Sequence, residues 1–103
     1  QKRIVEKLSD SLNHAVHLLH ENIASNYDDP YRLNDSDGIK IKDIFWENFQ
    51  ESQRAWVISR DKLCTANAAL AGEWAASRDE IKTQCILDQN RDRQQFIKMT
   101  WLK

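Results

Sequence analysis

Glycine and proline are so scarce in this chain that they define where its helices can end. Among 103 residues there are 2 glycines and 1 proline. Pro30 and Gly38 bracket the polar stretch NYDDPYRLNDSDG, whose composition is typical of a surface loop. Gly72 stands alone in ALAGEW and marks a second break. The chain is therefore divided into three long segments that contain neither residue.

Within each long segment the apolar residues recur at intervals of three and four. They are Ile4, Leu8, Leu12, Ala15, Leu19 and Ile23 in the first segment, Ile41, Phe45, Phe49, Trp56 and Leu63 in the second, and Trp74, Ile81, Cys85, Phe96 and Thr100 or Trp101 in the third. This period is helical, and no segment alternates as a half-buried strand would. We predict helices near residues 2–25, 39–66 and 75–100, with Ser36 or Asp37 as the N-cap of the second.

Length and charge restrict the partners that the chain can have. A chain of 103 residues forms one domain, residues 1–103, whose core leaves little stability in reserve. Its 15 Lys and Arg nearly balance its 16 Asp and Glu, so no basic field attracts nucleic acid or anionic lipid. No apolar run approaches the roughly 18 residues that span a bilayer. Because the sequence begins with Gln, we expect that an N-terminal segment has been removed.

The stretch SQRAWVISRDKLC places four unlike side chains on one face of the predicted second helix. They are Gln53, Trp56, Arg60 and Cys64, separated by three, four and four residues. Arg60 lies one turn beyond Trp56, so its guanidinium can stack on the indole while its donors reach carbonyl groups of a neighbouring helix. We interpret the stripe as a structural clamp, with ligand binding as the alternative. We expect the adjacent Asp61 to point elsewhere.

The 2 cysteines, Cys64 and Cys85, form no CxxC pair and have no histidine near them in sequence, so zinc is not expected. Their midpoint lies close to Gly72, where a helical hairpin would bring both sulfurs to the same height. We predict an all-α fold, a small antiparallel bundle of three main helices with the second and third joined by a disulfide. Such a bond persists in the periplasm or outside the cell. The alternative is two buried thiols in a cytosolic bundle.

The central stretch is echoed once further along the chain. WVISRDKL begins at Trp56 and WAASRDEI begins 18 residues later at Trp74. Gly72 argues against one helix that carries both copies, and a repeat architecture needs about three copies. We interpret the echo as a coincidence.

These residues resemble the bacterial envelope family named for the lysozyme inhibitor LprI. The family pattern contains Leu-Asn, then QxxWxxxRDxxC, and then a cysteine followed by an arginine and an aliphatic residue. The matching residues are Leu12, Asn13, Gln53, Trp56, Arg60, Asp61, Cys64, Cys85, Arg93 and Ile97. Val16 stands where the family has Tyr, and Asn90 stands where it has Thr. The resemblance covers residues 8–98, and its central motif is specific.

The resemblance implies a helical domain that is periplasmic, secreted or lipid-tethered and that inhibits lysozyme in some members. It implies no catalytic mechanism. Family members often carry two further cysteines ahead of the first helix, and this chain has none. We expect a non-enzymatic protein that binds a lysozyme-like enzyme. The alternatives are an immunity-type protein that neutralises a secreted toxin and a structural or regulatory domain of a larger envelope protein.

The polar stretch between the first two helices is the candidate partner-binding loop. A lysozyme is typically basic and has a carboxylate-lined cleft, so an inhibitor uses acidic groups for steering and aromatic or arginine side chains as anchors. The candidate residues are Asp28, Asp29, Tyr31, Arg32, Asp35 and Asp37, with Tyr27 beside them. The alternative is a solvated connection. NDSDG does not predict an EF-hand, because Leu33 and Ile44 occupy its terminal ligand positions.

All 3 histidines lie in the first predicted helix, at His14, His17 and His20. Together with Glu21 they allow a weak transition-metal site, but we interpret them as boundary residues on a solvated flank because no second ligand cluster is visible. Nothing in the sequence resembles an activated nucleophile, a phosphate-binding loop or a catalytic carboxylate pair. We therefore expect no metal, no cofactor and no enzymatic activity.

Overall fold

A computed structural model describes the backbone of residues 2–34 and 38–102, and the side chains from residue 10 onward within those ranges. It contains three helices, α1 (Lys2–Asn26), α2 (Ile41–Ala69) and α3 (Arg78–Trp101). The prediction of an all-α fold is confirmed, and the helix centres agree with the sequence pattern. The side chains of Ile4 and Leu8, two predicted core residues, lie outside the described part.

The start of α2 differs from the prediction. Its N-cap is Lys40, in an extended conformation, and the Lys40 amide donates to the Asp43 carboxylate at 3.4 Å. The predicted caps, Ser36 and Asp37, stand earlier in the chain and lie outside the described residues, so that prediction was wrong in position. The reason is a short antiparallel bridge between Pro30 and Lys40, which keeps the backbone extended up to the first residue of α2.

The main core lies where one face of α1 meets α2 and α3. Leu12, Ala15, Leu19 and Ile23 are all buried, as the sequence pattern predicted. Phe49 of α2 and Ile97 of α3 complete this cluster, and the partly buried aromatic residues Phe45, Trp46, Trp56 and Trp101 pack against it. The α1 stripe therefore anchors the bundle.

The buried face of α3 agrees with the predicted one only in part, since the predicted Ile81, Cys85 and Trp101 are half-buried. Leu87, Asn90 and Ile97 are buried, whereas Phe96 is 47% exposed and Thr100 is exposed. The periodicity of apolar residues predicts a single buried face. It misses part of the α3 face because α3 packs against both other helices. In α2, contrary to prediction, Ile41 and Leu63 are also exposed.

Consecutive helices run antiparallel. The disulfide between Cys64 and Cys85 joins α2 to α3, with the two Cα atoms 5.4 Å apart, and confirms the predicted pairing. The two helices are connected by a turn at residues 70–77, in which Gly72 has φ +87°. Trp74, predicted to belong to the apolar face of the third helix, lies in this turn and is exposed.

The molecule is elongated, with principal extents of 62 × 20 × 18 Å. The connection between α1 and α2 and the turn at residues 70–77 lie at opposite ends of α2. Within the part of the chain that the structure describes, no helix is both long and apolar enough to cross a membrane.

Candidate functional site

The central stretch of α2 meets two side chains of α3. We define the arginine–tryptophan cluster as Gln53, Trp56, Arg60, Asn90 and Arg93. The Arg60 guanidinium carbon lies 5.3 Å from the centroid of the Trp56 ring. Its Nη1 donates to the Asn90 side-chain carbonyl at 2.9 Å. Both contacts were predicted in kind: stacking on the indole and a carbonyl acceptor on the neighbouring helix.

Asp61 does not point away from Arg60, and that prediction was wrong. Its Oδ1 accepts from Arg60 Nε at 3.0 Å and lies 2.8 Å from Nη2. The helical spacing of neighbouring residues separates their Cβ atoms but not the ends of long side chains, and the arginine stem is long enough to turn back along the helix. Arg60 therefore has a carboxylate partner on its solvent side and an amide partner on its buried side.

Arg93 forms the second half of the cluster. Its Nε donates to Gln53 Oε1 at 3.0 Å, and its Nη2 lies 3.4 Å from Ser52 Oγ. Its guanidinium carbon is within 6 Å of three ring centroids, at 5.6 Å from Trp56, 5.7 Å from Phe49 and 5.9 Å from Phe96. Burial lowers the pKa of Arg93 below its ordinary value. The charge is retained because an arginine does not lose its proton in proteins.

Asn90 is the member of the cluster that sequence reasoning missed. It was noted only as a departure from the family pattern, yet it is fully buried and accepts the hydrogen bond from Arg60. Its signal in the sequence was its spacing, since it lies three residues after Leu87 and seven before Ile97, on the buried stripe of α3. A lone amide on an apolar stripe needs a partner, and Arg60 is the donor that reaches it.

The cluster has the chemistry of a clamp between α2 and α3. Two guanidinium groups lie near one indole, and amide and carboxylate oxygens accept hydrogen bonds from them. These are the contacts that the clamp interpretation requires, and its contribution to stability stays a prediction. Asn13, the remaining residue of the predicted structural motif, is exposed on α1, outside the cluster.

The second candidate region is the α1–α2 loop, residues 27–40. Backbone hydrogen bonds hold its two ends together, from Tyr31 N to Ile39 O at 2.9 Å, from Ile41 N to Asp29 O at 2.9 Å and from Lys42 N to Tyr27 O at 3.0 Å. The loop then presents Tyr31 at 53% exposure and Leu33 at 98% exposure, with Arg32 exposed between them. Asp35 and Asp37, two of the predicted binding residues, lie outside the described part of the chain.

The two acidic residues near the start of this loop differ in their surroundings. Asp28 forms an ion pair with Lys42 of α2, with Nζ and Oδ1 2.8 Å apart. Hydrogen bonding and attraction between them lower the pKa of Asp28 and raise the pKa of Lys42. Asp29 is exposed, and its backbone carbonyl takes part in the bridge to Ile41. Asp28 thus fastens the loop to α2, while the Asp29 side chain is presented at the surface.

An apolar cleft opens at the base of the α1–α2 loop. Its volume is about 160 Å³, and it is lined by Ile23, Tyr27, Ile41, Phe45 and Trp101. A cleft of this size is matched to a single apolar side chain rather than to a drug-sized ligand, for which pockets are larger. It lies directly beside the exposed residues of the loop, because Tyr27 belongs to both.

The histidines of α1 have separate contacts. His17 Nε2 lies 3.1 Å from Glu21 Oε1, and the ring of His20 lies 4.3 Å from the Trp46 ring, centroid to centroid. His14 is exposed. In the described ranges, no group of three or more His, Cys, Asp or Glu side chains converges as a metal site would require. The contacts are those of residues at the boundary of the core.

No protein-family model, curated protein or solved structure matches this chain.

Proposed function

We propose that the chain is a non-enzymatic protein-binding domain of the bacterial envelope, related to the LprI-like family, and that its α1–α2 loop binds a lysozyme or another peptidoglycan-cleaving enzyme. One observation carries this proposal. The loop exposes Tyr31, Arg32 and Leu33 on a backbone that is hydrogen-bonded at both ends. Tyrosine and arginine are among the side chains most often found as energetic anchors at interfaces.

The bridge at the base of the loop supports binding because it orders the loop beforehand. A loop that is already fixed loses less conformational entropy when it docks, so more of the contact energy appears as affinity. The apolar cleft beside Tyr27 adds a place for one side chain of the partner. The loop and the cleft share Tyr27 and lie at the same end of the bundle.

The charges of the loop fit a basic enzyme with an acidic cleft. Asp29 is exposed and would contribute to electrostatic attraction of a basic partner, which mainly raises the association rate. Arg32 has a planar fork of donors that binds carboxylates in a bidentate manner. In this proposal Arg32 enters the enzyme cleft and pairs with one of the carboxylates there.

The Cys64–Cys85 disulfide supports a periplasmic or secreted location. A structural disulfide persists in an oxidising compartment and is rare in a reducing cytosol. The location is testable by fusing the native reading frame to a reporter that folds only outside the cytosol. A reporter that is active only in the cytosol serves as the control. A signal from that control alone would contradict a periplasmic or secreted location.

The inhibition itself is tested with purified protein and several lysozymes in a cell-wall clearing assay. We expect the chain to slow clearing, and we expect Tyr31→Ala and Arg32→Ala to weaken the effect about tenfold or more, because anchor truncations cost at least about 1.4 kcal/mol. Arg54→Ala, which removes an exposed arginine of α2, is the matched control for Arg32→Ala. Absence of inhibition of every lysozyme at micromolar protein would contradict the proposal.

A further inference from the structure

The turn at residues 70–77 presents two large apolar side chains at the end of the bundle opposite the α1–α2 loop. Leu70 is 86% exposed and Trp74 is 88% exposed. Exposed apolar patches on soluble proteins mark interaction sites when they are contiguous. Neither side chain belongs to the arginine–tryptophan cluster or to the α1–α2 loop. We call this region, residues 70–77 with the adjoining ends of α2 and α3, the tip.

The indole of Trp74 lies close to the backbone of Gly72 at the tip. Gly72 has φ +87°, and a Cβ at this position would lie only 3.0 Å from Cζ2 and Cη2 of the Trp74 ring. The ring therefore packs on the bare backbone of Gly72 while most of its surface faces solvent. Most of the indole is therefore available to a partner, and tryptophan is among the side chains most often found as energetic anchors at interfaces.

A cleft lies in the same part of the tip, since Glu73 and Arg78, which stand on either side of Trp74 in the sequence, both line it. Its volume is about 350 Å³, at the lower end of the range for binding pockets and large enough for one indole. Ala68 and Ala69 contribute its apolar floor at the end of α2. Its rim carries two acidic and two basic residues, Glu73, Asp79, Arg78 and Lys82. A rim with both charge signs does not favour a strongly acidic or a strongly basic partner. It is complementary to a second rim of the same composition, because the acidic residues of one can face the basic residues of the other.

We propose that a second copy of this chain docks on the tip, with the Trp74 indole of each copy in the cleft of the other. The indole and the cleft belong to one patch, so a twofold axis through the tip satisfies both contacts at once. The same axis brings the acidic residues of one rim toward the basic residues of the other. This association is separate from the proposed function, because the α1–α2 loops lie at the far ends of the pair and stay accessible.

The pairing is weak and depends on concentration. In each copy the contact consists of one indole and one cleft. It is smaller than the roughly 800 Å² per partner of a standard stable interface. We therefore expect a dissociation constant in the range of about 10 μM to 1 mM. Wild-type protein then changes from monomer to dimer within an accessible concentration range.

Sedimentation equilibrium on the whole chain tests the proposal. The average mass of the wild type is expected to rise from 12.1 kDa toward twice that value as concentration increases to about 1 mM. Trp74→Ala is expected to weaken the pairing at least tenfold. Met99→Ala is the matched control, because Met99 is an exposed apolar residue near the other end of α3, and it is expected to pair as the wild type does.

A second variant tests the cleft without touching the indole. Ala69 is exposed, so Ala69→Phe fills the cleft with little effect on the core, and we expect the same loss of pairing as in Trp74→Ala. Thermal melting at low concentration verifies that each variant is folded. The proposal is overturned if the wild type stays at 12.1 kDa throughout, if Met99→Ala loses as much as Trp74→Ala, or if Ala69→Phe pairs normally.

Discussion

The chain contains one short pattern twice, and the two copies lie in opposite environments. WVISRDKL and WAASRDEI share Trp, Ser, Arg, Asp and a final aliphatic residue. In the first copy Trp56 packs against the core and Arg60 donates to Asn90 and Asp61. In the second copy Trp74 is exposed in a turn, and Arg78 donates to the Glu73 backbone carbonyl at 3.4 Å within that turn.

The difference shows that the environment of a motif depends on what faces it from elsewhere in the chain. The first copy faces two side chains of α3, since Asn90 lies 30 residues beyond its partner Arg60 and Arg93 lies 37 residues beyond its partner Trp56. The second copy spans the turn and the start of α3, and its tryptophan faces solvent. The two copies are therefore matched controls for each other, since the same substitution can be made in both.

The largest expected effect comes from the bond that joins the helices of the two copies. Under oxidising conditions Cys64→Ser is expected to destabilise the fold by about 3 kcal/mol, because a closed loop with a sequence separation of 21 restricts the unfolded chain. Once reductant is present, the same substitution is expected to have little effect. Denaturant unfolding with and without reductant measures both. An equal loss in the two conditions would show that the bond contributes nothing.

The next effect separates the two tryptophans. Trp56→Ala is expected to cost about 2 kcal/mol, less than for a fully buried tryptophan, because the ring is partly buried against the core and two arginines. Trp74→Ala is expected to cost about 0.5 kcal/mol or less, as for an exposed residue. Urea unfolding at low protein concentration measures folding without the association proposed for the tip. Equal losses would mean that Trp56 contributes no more to the core than its exposed counterpart.

The two arginines give a smaller contrast. Arg60→Lys is expected to destabilise by about 1 kcal/mol, because lysine has no planar fork to bond Asn90 and Asp61 together. Arg78→Lys is expected to be nearly neutral, since the single contact of Arg78 to a backbone carbonyl is exposed. Thermal unfolding of both variants checks this. A fully stable Arg60→Lys that fails to bind a partner would favour the ligand-binding alternative over the clamp.

The contrast between the copies also explains which parts of the structure could be predicted from the sequence. The three helices, the α1 stripe and the Cys64–Cys85 pairing follow from local spacing and from the position of Gly72. These features depend on residues close in sequence or on the geometry of one hairpin. Periodicity is informative about the α1 stripe because α1 buries one face against the other two helices.

The errors occurred where a contact does not follow from helical periodicity. The cap at Lys40 results from the bridge to Pro30, and no local signal marks that pairing. The burial of Ile97 in place of Phe96 results from the contact of α3 with two helices at once. The ion pair of Asp61 depends on the reach of a long side chain, which helical spacing alone does not describe. For the candidate binding loop, the sequence shows the polar and aromatic composition but not the bridge between Pro30 and Lys40 that orders the loop.

The smallest expected effect compares two ion pairs of the same length. Arg60 and Asp61 lie 2.8 Å apart, as do Lys42 and Asp28, but Asp28 is more exposed, at 73% against 50% for Asp61. Solvent screens the second pair, so Asp28→Asn is expected to change stability at neutral pH only slightly. Its effect is better measured through pH dependence. The loop also keeps its backbone bridge in this variant, so only the ion pair is lost.

The direction of that pH dependence follows from the two pKa shifts. The pKa of Asp28 is lowered from 3.8 in the fold, so its contribution is present above that pH and is lost as pH falls through the lowered value. The pKa of Lys42 is raised from 10.5, so its contribution is present below that pH and is lost as pH rises through the raised value. Asp28→Asn therefore lowers stability at pH values between the pKa of Asp28 and the pKa of Lys42. It has no effect at a pH below the pKa of Asp28 in both the folded and the unfolded chain. An NMR titration in which the Asp28 carboxyl titrates at or above 3.8 would show that the pair does not form in solution.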